Sequence, residues 1–427
     1  VSRNEKSTRF SADAMALRPS PIRRLAGVIN DPSYISFAGG VPSPETFPTA
    51  AIAEIGARLL RDRPGEVLQY SSTWGPQKLR EFVANRMEEM GISHPLPGIL
   101  ITSGSQQALD LVAKVLLDPD DVLFVELPSY VGALASFRSR RARLVGIPVR
   151  GDGGWDLAAL AEKIRAARKT GAHVKGIYAI PNFQNPAGTS IPADQRPAIA
   201  AFLAENDLLL IEDDPYGELN YTGVVTTPLA SFDHENRVIY LGTFSKILAP
   251  GLRTAWIAAD SELVARCELA KQSADLCSSA LDQNIVAEFC AAGLLPAQIE
   301  RVREHYRGRR RTLLEALETE LPAGCSFTRS EGGLFSWVTL PENPANLDAE
   351  RILEVALAEE RIAFVPGSGF FVEGDGKRTL RLTFAKETDE RMRDGIARLG
   401  RLLTRSIDRA RRQSGPFAPV PAAPGPE

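Results

Sequence analysis

Between Gly75 and Thr254, short apolar runs rich in Val, Ile and Leu alternate with amphipathic stretches of helical period, and no other feature narrows the fold as much. The runs at 99–102, 122–126, 144–149, 177–180, 208–212, 238–241 and 254–258 read as strands. Helical periodicity over 106–117, 157–167 and 192–206 falls between them. Continuous apolar strands joined through helices make βαβ units, and such a sheet is mostly parallel and covered by helices on both faces. The expectation is an α/β fold whose large domain holds a mostly parallel seven-stranded sheet sandwiched by helices.

A different pattern begins near Pro296. A long charged amphipathic helix over 298–320 leads into short strands at 325–327, 334–339, 363–365 and 380–384, and a helix over 387–412 follows. This reads as a smaller α+β domain. At 427 residues the chain exceeds the usual span of one domain. The division expected is an N-terminal segment, 1–50, a large domain, 51–295, a small domain, 296–412, and a disordered tail, 413–427. Five prolines fall in the last twelve residues, with few groups to bury.

Charge removes several partners. Lys and Arg total 50 against 53 Asp and Glu, a net of −3, so no overall basic field exists to hold nucleic acid or an anionic membrane. Cys267, Cys277, Cys290 and Cys325 form no CxxC pair and no cluster with His, which argues against both a zinc site and a disulfide framework. They read as reduced core thiols. With polar opening residues and no apolar run of membrane-spanning length, a cytoplasmic address is expected.

In an open α/β sheet, ligands sit beyond the carboxyl ends of the strands. After 99–102 comes Ser103-Gly104-Ser105-Gln106-Gln107, opening a helix whose free N–H groups and dipole favour an anion. The 177–180 run ends in Pro181-Asn182-Phe183-Gln184-Asn185-Pro186-Ala187-Gly188, which alone is ordinary turn chemistry. The 208–212 run leads into Asp213-Asp214-Pro215-Tyr216, placing carboxylates where a strand emerges; a helix cap or surface turn is the plainer alternative. After 238–241 come Gly242-Thr243-Phe244-Ser245-Lys246, with Arg253 following. Most lysines lie on the surface, but Phe244, Ile247 and Leu248 would desolvate this amine and lower its pKa toward nucleophilic use.

Singly these motifs are weak; their order is not. Ser105-Gln106, Tyr130, Asn185-Pro186-Ala187-Gly188, Asp213 with Tyr216, Ser245-Lys246, Arg253 and a late Arg381 in Leu380-Arg381-Leu382-Thr383-Phe384 resemble, in sequence, the class I/II aminotransferases. These enzymes have the type I fold of transferases dependent on pyridoxal 5′-phosphate (PLP). Pro19-Ser20-Pro21-Ile22-Arg23, the stretch Ile35-Ser36-Phe37-Ala38-Gly39-Gly40-Val41-Pro42 and Leu68-Gln69-Tyr70-Ser71 look like the α-aminoadipate and kynurenine aminotransferase subgroup. Alanine at position 187 replaces the more usual threonine.

The resemblance implies a role for each residue. Lys246 is then the Schiff-base lysine and general base. Asp213 pairs with the pyridine nitrogen; adjacent Asp214 is its rival, but only Asp213 has the Asp-x-x-Tyr spacing to Tyr216. Asn185 and Tyr216 hydrogen-bond the cofactor's phenolate oxygen, and Tyr130, otherwise a core tyrosine, stacks on the ring. Ser105, Gln106, Thr243, Ser245 and Arg253 hold the phosphate. Tyr70 reaches a partner's phosphate across a two-fold interface, which implies a homodimer. Arg381, with Asn185, grips the substrate α-carboxylate beside Gly40, whose missing side chain permits close approach. Arg23, with Arg18 and Arg24 near it, meets the substrate side chain from the N-terminal segment, 1–50, which the resemblance packs with the small domain and over the active site.

The activity implied is transfer of an amino group from an aminoadipate-type, branched-chain or aromatic L-amino acid to a 2-oxo acid such as 2-oxoglutarate, by a ping-pong cycle. A β-lyase or decarboxylase on the same fold keeps Lys246, Asp213 and Arg253, and is the alternative. A transcription regulator built on this fold needs a winged-helix domain ahead of it, and the stretch before Ser36 is too short to hold one.

Overall fold

The structure, a computed structural model, describes residues 9–16, 25–342 and 346–413. Arg18, Arg23 and Arg24, and residues 414–427 of the tail expected over 413–427, lie outside the described residues; Gln413 instead ends the last helix. The strands in chain order are β1 (Ile35–Ser36), β2 (Ile99–Thr102), β3 (Val122–Glu126), β4 (Arg143–Ile147), β5 (Val174–Ala179), β6 (Leu209–Asp214), β7 (Val238–Thr243), β8 (Ala255–Ala258), β9 (Ser326–Phe327), β10 (Phe335–Thr339), β11 (Ile362–Ala363), β12 (Val365–Pro366) and β13 (Thr379–Thr383).

Seven of them form one sheet in the order β2-β8-β7-β6-β5-β3-β4. Pairing is parallel from β7 through β4, and β8 runs antiparallel to both of its neighbours. Every residue of β2, β3, β7 and β8 is buried, which is why these strands read as unbroken apolar runs rather than as alternating ones. All seven expected strands are present.

The small sheet, β12-β13-β10-β9, is antiparallel. The helix expected over 298–320 begins earlier, at Leu295, and runs to Glu320; it packs on the last helix, Asp389–Gln413. One expectation fails in detail. The apolar run at 363–365 is not one strand: β11 pairs with β1 in parallel, whereas β12 pairs with β13. Fully buried Phe364 sits between them. The chain changes partners there, and a three-residue apolar run carries no mark of that. The β1–β11 pairing carries the chain on to Gly40, and β13 carries Arg381, so the two arrive together at the carboxyl edge of the large sheet.

The thiols divide: Cys267 and Cys290 are buried, while Cys277 and Cys325 are only partly covered. Among the described residues no helix is long and apolar enough to cross a membrane.

Candidate active site

A cavity of about 660 Å³ opens where β3, β5, β6 and β7 end. Its walls include Gly40, Ser105, Gln106, Tyr130, Asn185, Asp213, Tyr216, Thr243, Ser245, Lys246, Arg253 and Arg381. Twelve of the fourteen residues expected at the site therefore meet in one place. Arg23 lies outside the described residues. Tyr70 is 79% exposed and does not line the cavity.

Lys246 donates from Nζ to the carbonyl of Gly40 at 3.1 Å. Burial pushes its pKa down to about 8, and the positive charges of Arg381 and Arg253 push the same way; Asp213 opposes them. Asp213 is 2% exposed, and burial raises its carboxyl to about 7. Its Oδ2 accepts from the Tyr178 hydroxyl at 2.9 Å, while Oδ1 is buried with no partner among the described residues. A buried carboxylate oxygen left unsatisfied is costly unless something else completes it.

Successive side chains on a strand point to opposite faces, and that settles which of the paired aspartates serves this cavity. Asp214 lines a separate space of about 590 Å³. There it accepts from the Gly217 N–H at 2.9 Å and from the Tyr240 hydroxyl at 3.1 Å.

Arg381 is 1% exposed and, among the described residues, has no acidic partner in any of its contacts. Its Nη1 donates to Asn185 Oδ1 at 2.8 Å and its Nη2 to the Ala38 carbonyl at 2.7 Å. The guanidinium lies between the rings of Phe335, 4.3 Å from the centroid, and Phe370, at 5.4 Å. Burial lowers its pKa to about 10, so it stays charged at neutral pH. Gly40 makes room mainly for Phe335: a Cβ there would lie 2.7 Å from Phe335 Cζ. Tyr216 meets the same ring edge-on at 5.9 Å and is hydrogen-bonded to Asn185; burial raises its phenol well above the usual range.

The anion subsite has a backbone reason. Gly104, at φ 81°, precedes the helix Ser105–Leu116, and a Cβ on it would lie 2.0 Å from Arg253 Nη2. Only glycine lets that guanidinium lie against the helix start, where Arg253 Nη2 donates to the Ser103 carbonyl at 3.3 Å. Thr243 Oγ1 and Ser245 Oγ are linked at 2.9 Å on the other side. The Gln106 side chain is engaged elsewhere, donating to the Gly132 carbonyl at 3.0 Å and Ser136 Oγ at 2.9 Å.

A cation at a helix N-terminus, a buried lysine of lowered pKa, a half-satisfied carboxylate and a second arginine without an acidic partner thus share one cavity. Residues 32–399 match the family model for aminotransferases of class I and II. The chain belongs to this family.

The aminotransferase is 42% identical over 391 residues to aromatic-amino-acid aminotransferase 1 of Thermococcus litoralis, covering 91% of this chain and 93% of that one. It is also 42% identical over 401 residues to the 2-aminoadipate transaminase of Thermus thermophilus, covering 93% and 97%. Its fold superposes with a TM-score of 0.88 on the kynurenine aminotransferase of Pyrococcus horikoshii, solved with PMP, at 38% identity, covering 95% and 100%.

Its cofactor is pyridoxal 5′-phosphate, and the residues present fit it. The orphaned Asp213 Oδ1 suits a protonated ring nitrogen, and the Gly104–Arg253 cradle suits a phosphate. Sequence reasoning missed Tyr178 and Phe335. A tyrosine inside an apolar strand reads as core, and a phenylalanine after Gly332-Gly333 carries no functional mark.

Proposed function

We propose that this aminotransferase moves the amino group of an aminoadipate-type, branched-chain or aromatic L-amino acid to 2-oxoglutarate in a ping-pong cycle. One observation carries the reading: a single cavity holds Lys246, Asp213 and Arg381, the amine, the acid and the cationic clamp that such a transfer requires.

Bound PLP supplies an aldehyde that carries the amino group and a ring that delocalises the charge left when the substrate's Cα–H bond breaks. Ser105, Thr243, Ser245 and Arg253 hold its phosphate, Asp213 its ring nitrogen, Asn185 and Tyr216 its phenolic oxygen, and Tyr130 its face; Gln106 contributes its backbone N–H rather than its side chain. Lys246 Nζ, lowered to about 8, has enough neutral amine near physiological pH to take the proton from the donor's Cα. Arg381, preset by Asn185 Oδ1 and the Ala38 carbonyl, grips the α-carboxylate in two parallel hydrogen bonds, and the substrate brings the negative charge this guanidinium lacks. Arg23 contacts the donor's side chain.

The active form in this reading is a homodimer in which Tyr70 reaches the partner's phosphate subsite. Supporting it are the exposures of Leu68 and Tyr70, at 69% and 79%, and of Val41 in the cavity wall, at 52%, large apolar side chains that a single chain leaves uncovered. Residues 51–295 act as the cofactor domain and 296–412 as the small domain, with 1–50 across the site. Four free cysteines fit a cytoplasmic address. The test is a panel of aminoadipate, glutamate, leucine, kynurenine and phenylalanine with 2-oxoglutarate, comparing kcat/KM, alongside sedimentation. A fully active monomer, or no turnover with any donor, contradicts the reading.

A further inference from the structure

Two loops that leave neighbouring strands carry residues of the cavity wall. One follows β3 and reaches Tyr130; the other follows β5 and reaches Asn185. β3 and β5 are paired in parallel, with Val125 opposite Tyr178, but beyond these strands the loops have no ladder to hold them in register.

Glu126, the last residue of β3, stands between them. It is 4% exposed, and among the described residues no lysine or arginine contacts it. Instead three neutral donors converge on its carboxylate. Trp155 Nε1 donates to Oε1 at 3.3 Å; the Ile180 N–H, at 3.0 Å, and Gln184 Nε2, at 3.3 Å, donate to Oε2. A buried carboxylate persists only when such bonds replace its lost hydration.

Each donor is itself fixed. Fully buried Trp155 is held by Gln195 in a reciprocal pair: the Trp155 N–H donates to Oε1 at 2.8 Å, and Nε2 donates to the Trp155 carbonyl at 2.6 Å. Gln184 Nε2 also donates to the Pro128 carbonyl at 2.6 Å, in the Tyr130 loop, while its Oε1 accepts from the Ala187 N–H at 2.8 Å. That second bond closes the turn containing Asn185, whose Oδ1 receives Arg381. The carboxylate therefore joins the β3 loop to the β5 loop through Gln184, with Trp155 as a fixed backstop.

We propose that Glu126 is a positioning residue: by tying the Tyr130 loop to the Asn185 loop, it sets the spacing between the group on the cofactor's face and the group that serves both its phenolic oxygen and Arg381. The inference rests on the cavity being the PLP and amino-acid site. Glu126 is not among the residues that line the cavity. A carboxylate suits the position because it accepts on both oxygens. A glutamine would turn an NH₂ toward one of the three donors and leave that donor unpaired in the interior.

The test compares wild type, Glu126→Gln and Gln184→Ala. PLP affinity of the cofactor-free proteins is measured by absorbance titration, the spectral pKa of the bound cofactor is read across pH, and kcat and KM are separated for one L-amino acid. Glu126→Gln should raise KM and the PLP Kd roughly tenfold each, the loss expected when a buried donor goes unpaired. It should also move the spectral pKa by about half a unit or more. Gln184→Ala, which cuts the same tie at its other end, should move the spectral pKa in the same direction. The double variant should show less than the sum of the two.

A residue that only supports the fold would lower Tm and leave spectral pKa and KM unchanged well below Tm, and that result overturns the proposal. If Glu126→Gln does not fold, Gln184→Ala decides alone: an unmoved spectral pKa refutes the tie. Wild-type protein that fails to bind PLP refutes the underlying assignment of the cavity instead, so the two failures are distinct.

Discussion

Tyr178 donates its phenolic hydroxyl to Asp213 Oδ2 at 2.9 Å and leaves Oδ1 buried without a partner among the described residues. The strand pair β5–β6 sets this up, since Tyr178 and Ile211 are register partners and Asp213 lies just beyond. Tyr178 holds the carboxylate's orientation and favours its charged form, which is the form a protonated pyridine needs. Tyr178→Phe should therefore raise the PLP Kd roughly tenfold, the worth of one hydrogen bond to a charged group, with the fold kept. Titration of the cofactor-free variant with PLP checks this; an unchanged Kd would reduce Tyr178 to core packing.

Gly104→Ala attacks the phosphate cradle from the backbone. Its φ is 81°, and the added Cβ would lie 2.0 Å from Arg253 Nη2, which leaves no room for a methyl group. The variant should cost about 1 kcal/mol or more from the positive-φ backbone alone, φ 81° and ψ 165° being essentially a glycine conformation. It should also displace Arg253, so that phosphate-bearing pyridoxal loses affinity while pyridoxal without phosphate binds nearly as before. Parallel titrations with the two compounds measure the difference.

Lys246 provides a pH test in the cofactor-free protein. Its pKa is pushed from 10.5 down to about 8, and only the neutral amine is nucleophilic. Covalent capture of PLP, trapped by borohydride, should therefore quicken as pH rises from about 6.5 to about 9, with a midpoint near 8. A midpoint near 10 would mean that the amine is solvated.

Asp213 predicts a stability slope of opposite kind. Burial raises its carboxyl from 3.8 to about 7 in the fold. Between those values the native protein keeps a proton that the unfolded chain releases, so stability falls as pH rises through that window. Glu126, raised to about 7, and Glu212, raised to about 8, add to the slope, so Asp213→Asn should flatten it without abolishing it. Urea unfolding of the cofactor-free proteins at about pH 5 and about pH 8 measures the change. The same variant should lose nearly all transaminase activity.

What could be read from the chain, and what could not, divides along one line. Lys246 and Asp213 lie at the carboxyl ends of apolar strands, so the rule that ligands gather there finds them; Arg381, in mid-strand of the small antiparallel sheet, is legible only from the order of motifs that resembles the family. Tyr178 and Glu126 belong to the strands themselves. Their significance lies in partners on other segments, Asp213 for one and Ile180 and Gln184 for the other, and nothing local to either residue marks that pairing. The same holds for Gly104, ordinary as a helix-opening glycine until Arg253 arrives from the segment between β7 and β8, and for the switch of partners at Phe364.

Lys246 thus shares one cavity with Asp213 and Arg381, and a single half-reaction tests whether they work on one amino group. PLP-loaded enzyme is mixed with an L-amino acid in the absence of any oxo acid, and cofactor absorbance and released products are followed together. Expected are stoichiometric conversion of the pyridoxal to the pyridoxamine form, release of the matching 2-oxo acid without ammonia, and recovery of the pyridoxal form on adding 2-oxoglutarate. In Lys246→Ala, loaded with cofactor and checked for it by absorbance, both conversions should be absent. Ammonia or carbon dioxide as the product, or full turnover by the alanine variant, would contradict it.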